Sequence, residues 1–87
     1  MQKFLSKIIS SNGDRLFYIK ATANNGLPAW YFVFVRPAKL AAFQRLTKSD
    51  VYDIADYGDV IKSGYGRQAP KEVICLMNTE YNCNFTN

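Results

Sequence analysis

Ala29-Trp30-Tyr31-Phe32-Val33-Phe34-Val35-Arg36 decides the fold. Seven apolar or aromatic residues run without a polar break, and four of them are aromatic. A half-exposed strand would alternate, so this run predicts a strand covered on both faces or nearly so. Pro37 stops it and suits the first turn of a helix. Leu40, Phe43 and then Leu46 or Thr47 recur at helical spacing, with Lys39, Arg45 and Lys48 pointing elsewhere. That pattern predicts a helix of about ten residues.

Upstream, Asn12-Gly13 favours the tight turn that joins two twisted antiparallel strands. A two-residue loop sets Lys7 against Tyr18 and Leu5 against Lys20 on one face. The other face holds Ile8 with Phe17, Ser6 with Ile19 and Phe4 with Ala21, and its greater apolarity points it at the core. A helix over residues 2–11 is the competing reading. Asn24-Asn25-Gly26-Leu27-Pro28 then reads as the connection into the apolar strand.

Downstream, Asp50, Asp53, Asp56 and Asp59 recur every three residues, among Val51, Ile54 and Tyr57. A period of three drifts by about 60° per step around a helix, so these acids line no single face. Residues 49–58 therefore read as a loop with one helical turn. Asp59-Val60-Ile61-Lys62-Ser63 reads as a short strand closed by Gly64-Tyr65-Gly66. Pro70 opens a last helix with Val73, Leu76, Met77 and Tyr81 as its apolar stripe. The order is βββαβα: a single small α+β domain over residues 1–87, an antiparallel three-stranded meander followed by a helix, a short strand and a C-terminal helix. Both helices are expected on one sheet face.

At 87 residues there is room for one core. Such a chain buries somewhat over 60% of its unfolded surface, which leaves stability thin and makes dimerisation a natural supplement. With 48% hydrophobic and 15% aromatic residues, the composition excludes disorder. The N-terminal apolar run is broken by Lys7 and is too short for a signal peptide, and nothing reaches membrane-spanning length. A cytoplasmic protein is the expectation. Cys75 and Cys83 lack the further ligands a zinc site needs and read as reduced thiols. The absence of histidine removes the commonest general base.

Charge is sorted along the chain. Residues 1–48 carry eight bases (Lys3, Lys7, Arg15, Lys20, Arg36, Lys39, Arg45, Lys48) against Asp14, or +7. Residues 49–87 carry Lys62, Arg67 and Lys71 against six acids (Asp50, Asp53, Asp56, Asp59, Glu72, Glu80), or −3. Either the positive half meets an anion, or the two halves meet each other within one chain or between copies.

Gly64-Tyr65-Gly66-Arg67-Gln68-Ala69 matches the glycine spacing of a dinucleotide-binding turn. Fewer than twenty residues follow Ala69, however, so no second strand can complete that unit and no cofactor is expected. What survives is an anion-binding candidate, Gly64, Gly66 and Arg67, beside the reading that the glycines simply make the turn. The aspartate spacing does not fit a calcium loop, and no metal site is expected. Lys7, Tyr18, Lys20, Trp30, Phe32, Phe34 and Arg36 form the other candidate set. If the Trp30 parity shares a face with Tyr18 and Lys20, they make an aromatic surface ringed by cations. Residues 30–34 lack the basic residue and glycines of an RNA-recognition strand.

Two functions follow as expectations. The first is a small non-enzymatic protein-interaction module, self-associating as a homodimer through an aromatic sheet face and complementary charges. The alternative is RNA or single-stranded DNA binding, with bases stacked on that face. An enzyme lacking histidine chemistry ranks below both.

Overall fold

The computed structural model describes residues 2–9 as backbone, and residues 15–23, 25–47 and 50–86 with their side chains. Five strands form one sheet: β1 (Gln2–Ile9), β2 (Leu16–Thr22), β3 (Pro28–Val35), β4 (Val51–Tyr52) and β5 (Gly58–Tyr65). Their order is β4-β1-β2-β3-β5, and every neighbouring pair is antiparallel. A 3-10 turn (Pro37–Lys39) runs into α1 (Leu40–Gln44), another (Ile54–Asp56) precedes β5, and α2 (Lys71–Tyr81) follows it. The α+β class holds, and the order is the expected βββαβα with one two-residue strand, β4, added before β5. Pro37 opens the first helical segment as expected.

The apolar run 29–35 lies between β2 and β5, where both its faces can be covered. One face gathers Phe17, Ile19, Ala21, Val33 and Val35 beneath Phe43 of α1, with Tyr52 and Ile54 beside it. The opposite face gathers Leu16, Tyr18, Trp30 and Phe32 beneath Ile74 and Met77 of α2, with Cys83 and Phe85. The helices therefore sit on opposite faces of the sheet, not on one. The physical reason lies in β3 itself: apolar at both parities, it needs a cover on each side, and one helical layer supplies only one.

Three further differences matter for function. The strand expected at 59–63 is longer, eight residues from Gly58 to Tyr65. Val51–Tyr52 forms a small strand against Gln2 and Lys3, inside a stretch expected to be loop; the helical turn expected there is present at Ile54–Asp56. On α2 the stripe is rotated: Ile74 and Met77 are buried, Val73 and Tyr81 are half-buried, and Leu76 is 49% exposed.

Between β1 and β2 the register is also not the expected one. Ile9 pairs with Phe17, Ile8 with Tyr18 and Lys7 with Ile19, one residue off the two-residue-loop alignment. An irregularity between Phe4 and Ser6 absorbs the shift, and Phe4 returns to its expected partner Ala21. The Asn12-Gly13 turn lies outside the described residues.

Candidate functional site

The condition set for an aromatic surface, that the Trp30 parity share a face with Tyr18 and Lys20, is met. Lys20 pairs with Trp30, and Tyr18 with Phe32, so these side chains share a sheet face. That face is not open. α2 and the segment after it cover Tyr18, Trp30 and Phe32, all buried, and Phe34 is half-buried against Tyr81 at 5.3 Å. The Tyr18 and Phe32 rings stack at 4.7 Å, and Phe85 meets both edge-on at 6.1 Å and 5.4 Å. The Tyr18 hydroxyl accepts the Ala69 N–H at 2.8 Å, and burial raises its pKa while that bond opposes the rise. Lys20 Nζ lies 5.7 Å from the Tyr18 ring centre. Of Lys7 only the backbone is described, opposite Ile19.

Beyond α2, the cover is fastened by Asn78. Asn82, with φ +54°, ends α2 in the left-handed conformation, which asparagine tolerates better than most residues. Its N–H and that of Cys83 both donate to the Asn78 carbonyl. The Asn78 amide then grips the returning chain: Phe85 N–H donates to Oδ1 at 2.7 Å, and Nδ2 donates to the Phe85 carbonyl at 3.0 Å. This places the Phe85 ring among Tyr18 and Phe32. Sequence periodicity could not find Phe85, because it lies beyond the helix in a segment with no repeat.

Arg36 is exposed but engaged. Its guanidinium donates to the carbonyls of Ala55 and Asp56 at 3.1 Å and 2.7 Å, and its N–H donates to the Tyr57 carbonyl at 2.8 Å. The acidic stretch thus folds onto a basic residue of the first half through carbonyls rather than carboxylates. Two of its aspartates serve the local backbone. Asp50 accepts the Thr47 N–H at 2.7 Å, and Asp53 accepts the Ala55 N–H at 3.2 Å. Among the described residues, no group of three His, Cys, Asp or Glu side chains could hold a metal ion.

Gly64, Gly66 and Arg67 fall at the end of β5 and in the turn before α2. Gly64 pairs with Trp30, and a Cβ added there would meet the indole at 2.5 Å, so the missing side chain makes room for the ring. Gly66, with φ +126°, donates its N–H to the Pro28 carbonyl at 3.0 Å. Arg67 is exposed. The helix begins only at Lys71, so the two glycines stand before its first turn and not in it.

What the fold does leave open is the outer edge of β5. This strand closes the sheet, and among the described residues nothing pairs with its far side. Gly66 bonds to Pro28 on the inner side, so by alternation Gly64 and Lys62 also turn inward, while Ser63 and Tyr65 present N–H and C=O outward. Below Lys62 the ladder shifts: Phe32 pairs with Lys62 but Val33 with Val60, leaving Ile61 as a bulge. Arg36 N–H bonds to the Tyr57 carbonyl, so by alternation Val60 turns outward in this lower half, while Gly58, opposite Val35, is buried. Val60 is 43% exposed and Tyr65 68%, and Leu27 lies exposed beside Pro28 at the same end as Tyr65.

No helix among the described residues is long and apolar enough to cross a membrane. Comparison with protein-family models, curated proteins and solved structures finds no match.

Proposed function

We propose that the protein is a small non-enzymatic interaction module that self-associates by pairing strands at the β5 edge. One observation carries this reading: an eight-residue strand at the border of the sheet, its outer backbone groups unpaired among the described residues, with Val60 and Tyr65 exposed along it. Unpaired strand edges are templates for another strand, and small folds gain stability from such pairing. The expected route through an aromatic face gives way to this edge because α2 and Phe85 occupy that face. Nucleic-acid binding ranks lower for the same reason, since bases stack only on rings that offer a free face.

The test is molar mass by light scattering across protein concentration, for wild type and for Ser63→Pro. Proline at position 63 removes an outward N–H and leaves the bonds to β3 in place. Wild type is expected to shift from monomer to dimer with concentration, and Ser63→Pro to remain monomeric with an unchanged far-ultraviolet circular dichroism spectrum. If Ser63→Pro does not fold, Val60→Lys, an added charge on the same edge, takes its place. A wild type that stays monomeric to about millimolar concentration refutes the reading, because even weak specific association shows there.

A further inference from the structure

The regular part of β5 is short and centred on a glycine. The Ile61 bulge ends it on one side, and on the other Gly66, with φ +126°, follows the last strand residue. Between them the ladder to β3 runs without a shift, from Lys62 opposite Phe32 to Tyr65 opposite Ala29. Gly64 is the midpoint of residues 62–66. Its backbone groups turn inward, while those of Ser63 and Tyr65, one on either side, turn outward, on the geometry given above. Both flanking residues are exposed. They stand opposite Tyr31 and Ala29, so their side chains share one sheet face, a small one at Ser63 and a large one, 68% exposed, at Tyr65.

Resting on the edge-pairing reading, we propose that β5 pairs antiparallel with β5 of a second copy about a two-fold axis normal to the sheet that passes between the two Gly64 residues. Ser63 then stands opposite Tyr65 of the second copy. Both present N–H and C=O toward the partner strand, so they form a hydrogen-bonded pair, and symmetry makes it twice. Gly64 faces itself in the intervening non-bonded pair, where the two backbones approach most closely and neither carries a side chain.

The side chains fit the same register. A two-fold of this orientation keeps each sheet face on its own side, so Tyr65 of each copy lies beside Ser63 of the other. The small residue leaves room for the ring, whose hydroxyl is already held by Asn25 Nδ2 at 3.4 Å. Tyr31, half-buried next to Ser63, gains cover from it. Neighbouring registers waste the outward groups. Centring on Ser63 sets Tyr65 against the Ile61 bulge, and centring on Tyr65 sets Ser63 against Arg67, beyond the strand. So short a contact belongs to the weak class of interface, under about 1,200 Å², and the dimer forms only at high protein concentration.

The experiment places charges at the two exposed positions and reads association by sedimentation or light scattering. In this register Ser63→Glu/Tyr65→Lys sets opposite charges across both symmetric pairs, whereas Ser63→Glu/Tyr65→Glu sets like charges there. The first is expected to associate at least about tenfold more tightly than the second, given the size of cross-strand charge pairs. Ser63→Lys/Tyr65→Glu and Ser63→Lys/Tyr65→Lys repeat the comparison with the signs inverted, and replace the first two if either does not fold by circular dichroism. Centred on Ser63 or on Tyr65 instead, all four variants would bring like charges together at the axis, and the difference would vanish. Wild-type dimers that Ser63→Pro abolishes, with opposite-charge and like-charge variants equally weak, overturn this register and spare edge pairing. A monomeric wild type overturns both.

Discussion

Asn78 is expected to act by holding Phe85, and a double-mutant cycle can measure it. Asn78→Ala removes the two side-chain bonds to the Phe85 backbone, at 2.7 Å and 3.0 Å. At a net of about 0.5–1.5 kcal/mol each, the loss is about 2 kcal/mol. Phe85→Ala removes a ring that is 2% exposed and packed on Tyr18 and Phe32, at a cost of about 3–5 kcal/mol. If each acted alone, the double variant would lose about 6 kcal/mol. The contacts share one short segment, however. Once the ring no longer anchors residues 83–86, that segment lifts away and the Asn78 amide bonds to water instead. The double variant is therefore expected to lose little more than Phe85→Ala, with a coupling energy of about 1.5–2 kcal/mol.

Urea unfolding followed by tryptophan fluorescence suits the measurement, since the single tryptophan, Trp30, belongs to the same buried cluster. For a domain of this size Asn78→Ala should lower Tm by about 8–16 °C. Phe85→Leu replaces Phe85→Ala if the latter does not fold, with the same sign of coupling. Asn78→Asp keeps the acceptor for the Phe85 N–H and loses the donor to its carbonyl, so it should fall between wild type and Asn78→Ala. Costs that add to within about 0.5 kcal/mol would refute the reasoning, because ring and amide would then hold the segment independently.

Two other outcomes are expected. Gly58→Ala should destabilise by about 1–3 kcal/mol or more, because the new Cβ would meet the Phe34 carbonyl and come within 2.7 Å of Val35 Cα, both backbone with little freedom to yield; a Tm equal to wild type would contradict the close β3–β5 approach. Stability should be flat up to about pH 10, the ordinary tyrosine value, and fall above it, because burial raises the pKa values of Tyr18, Tyr31 and Tyr52 and the unfolded chain loses phenolic protons that the folded one retains. Chemical denaturation from pH 8 to 12 measures that slope, and the phenolate absorbance of the folded protein should lag behind that of the unfolded; stability rising with pH in that interval would contradict it.

The parts of the fold that could be read from sequence rest on local pattern. Residues 29–35 declared a strand covered on both faces, and Pro37 and Pro70 marked where helical segments begin. The placement of the helices was also contained in that run, since a strand apolar at both parities needs two covers. An arrangement with both helices on one face leaves the other face of that run without its cover. Register was harder. One irregularity between Phe4 and Ser6 and one at Ile61 change which residues share a face, and no composition rule signals a bulge. The aspartates fall before β4, at the 3-10 turn and on β5, so they share no helix. Their local use, with Asp50 and Asp53 accepting backbone N–H groups, follows from the habit of aspartate at turns.

The sorting of charge takes on a different meaning once these residues are placed. A long-range attraction between a positive and a negative half would require carboxylates to meet lysines and arginines. Instead Arg36 bonds to carbonyls, and Asp50 and Asp53 spend their oxygens on nearby N–H groups. These contacts are short-ranged and directional, so they shape the segment before β5 rather than neutralise it. Asp59 and Lys62 are exposed on one face of β5, and their charges cancel. Self-association along that edge, as proposed, would rest on backbone pairing rather than on net charge. Added salt should therefore weaken it only modestly, and a steep loss of association with salt would contradict that reasoning.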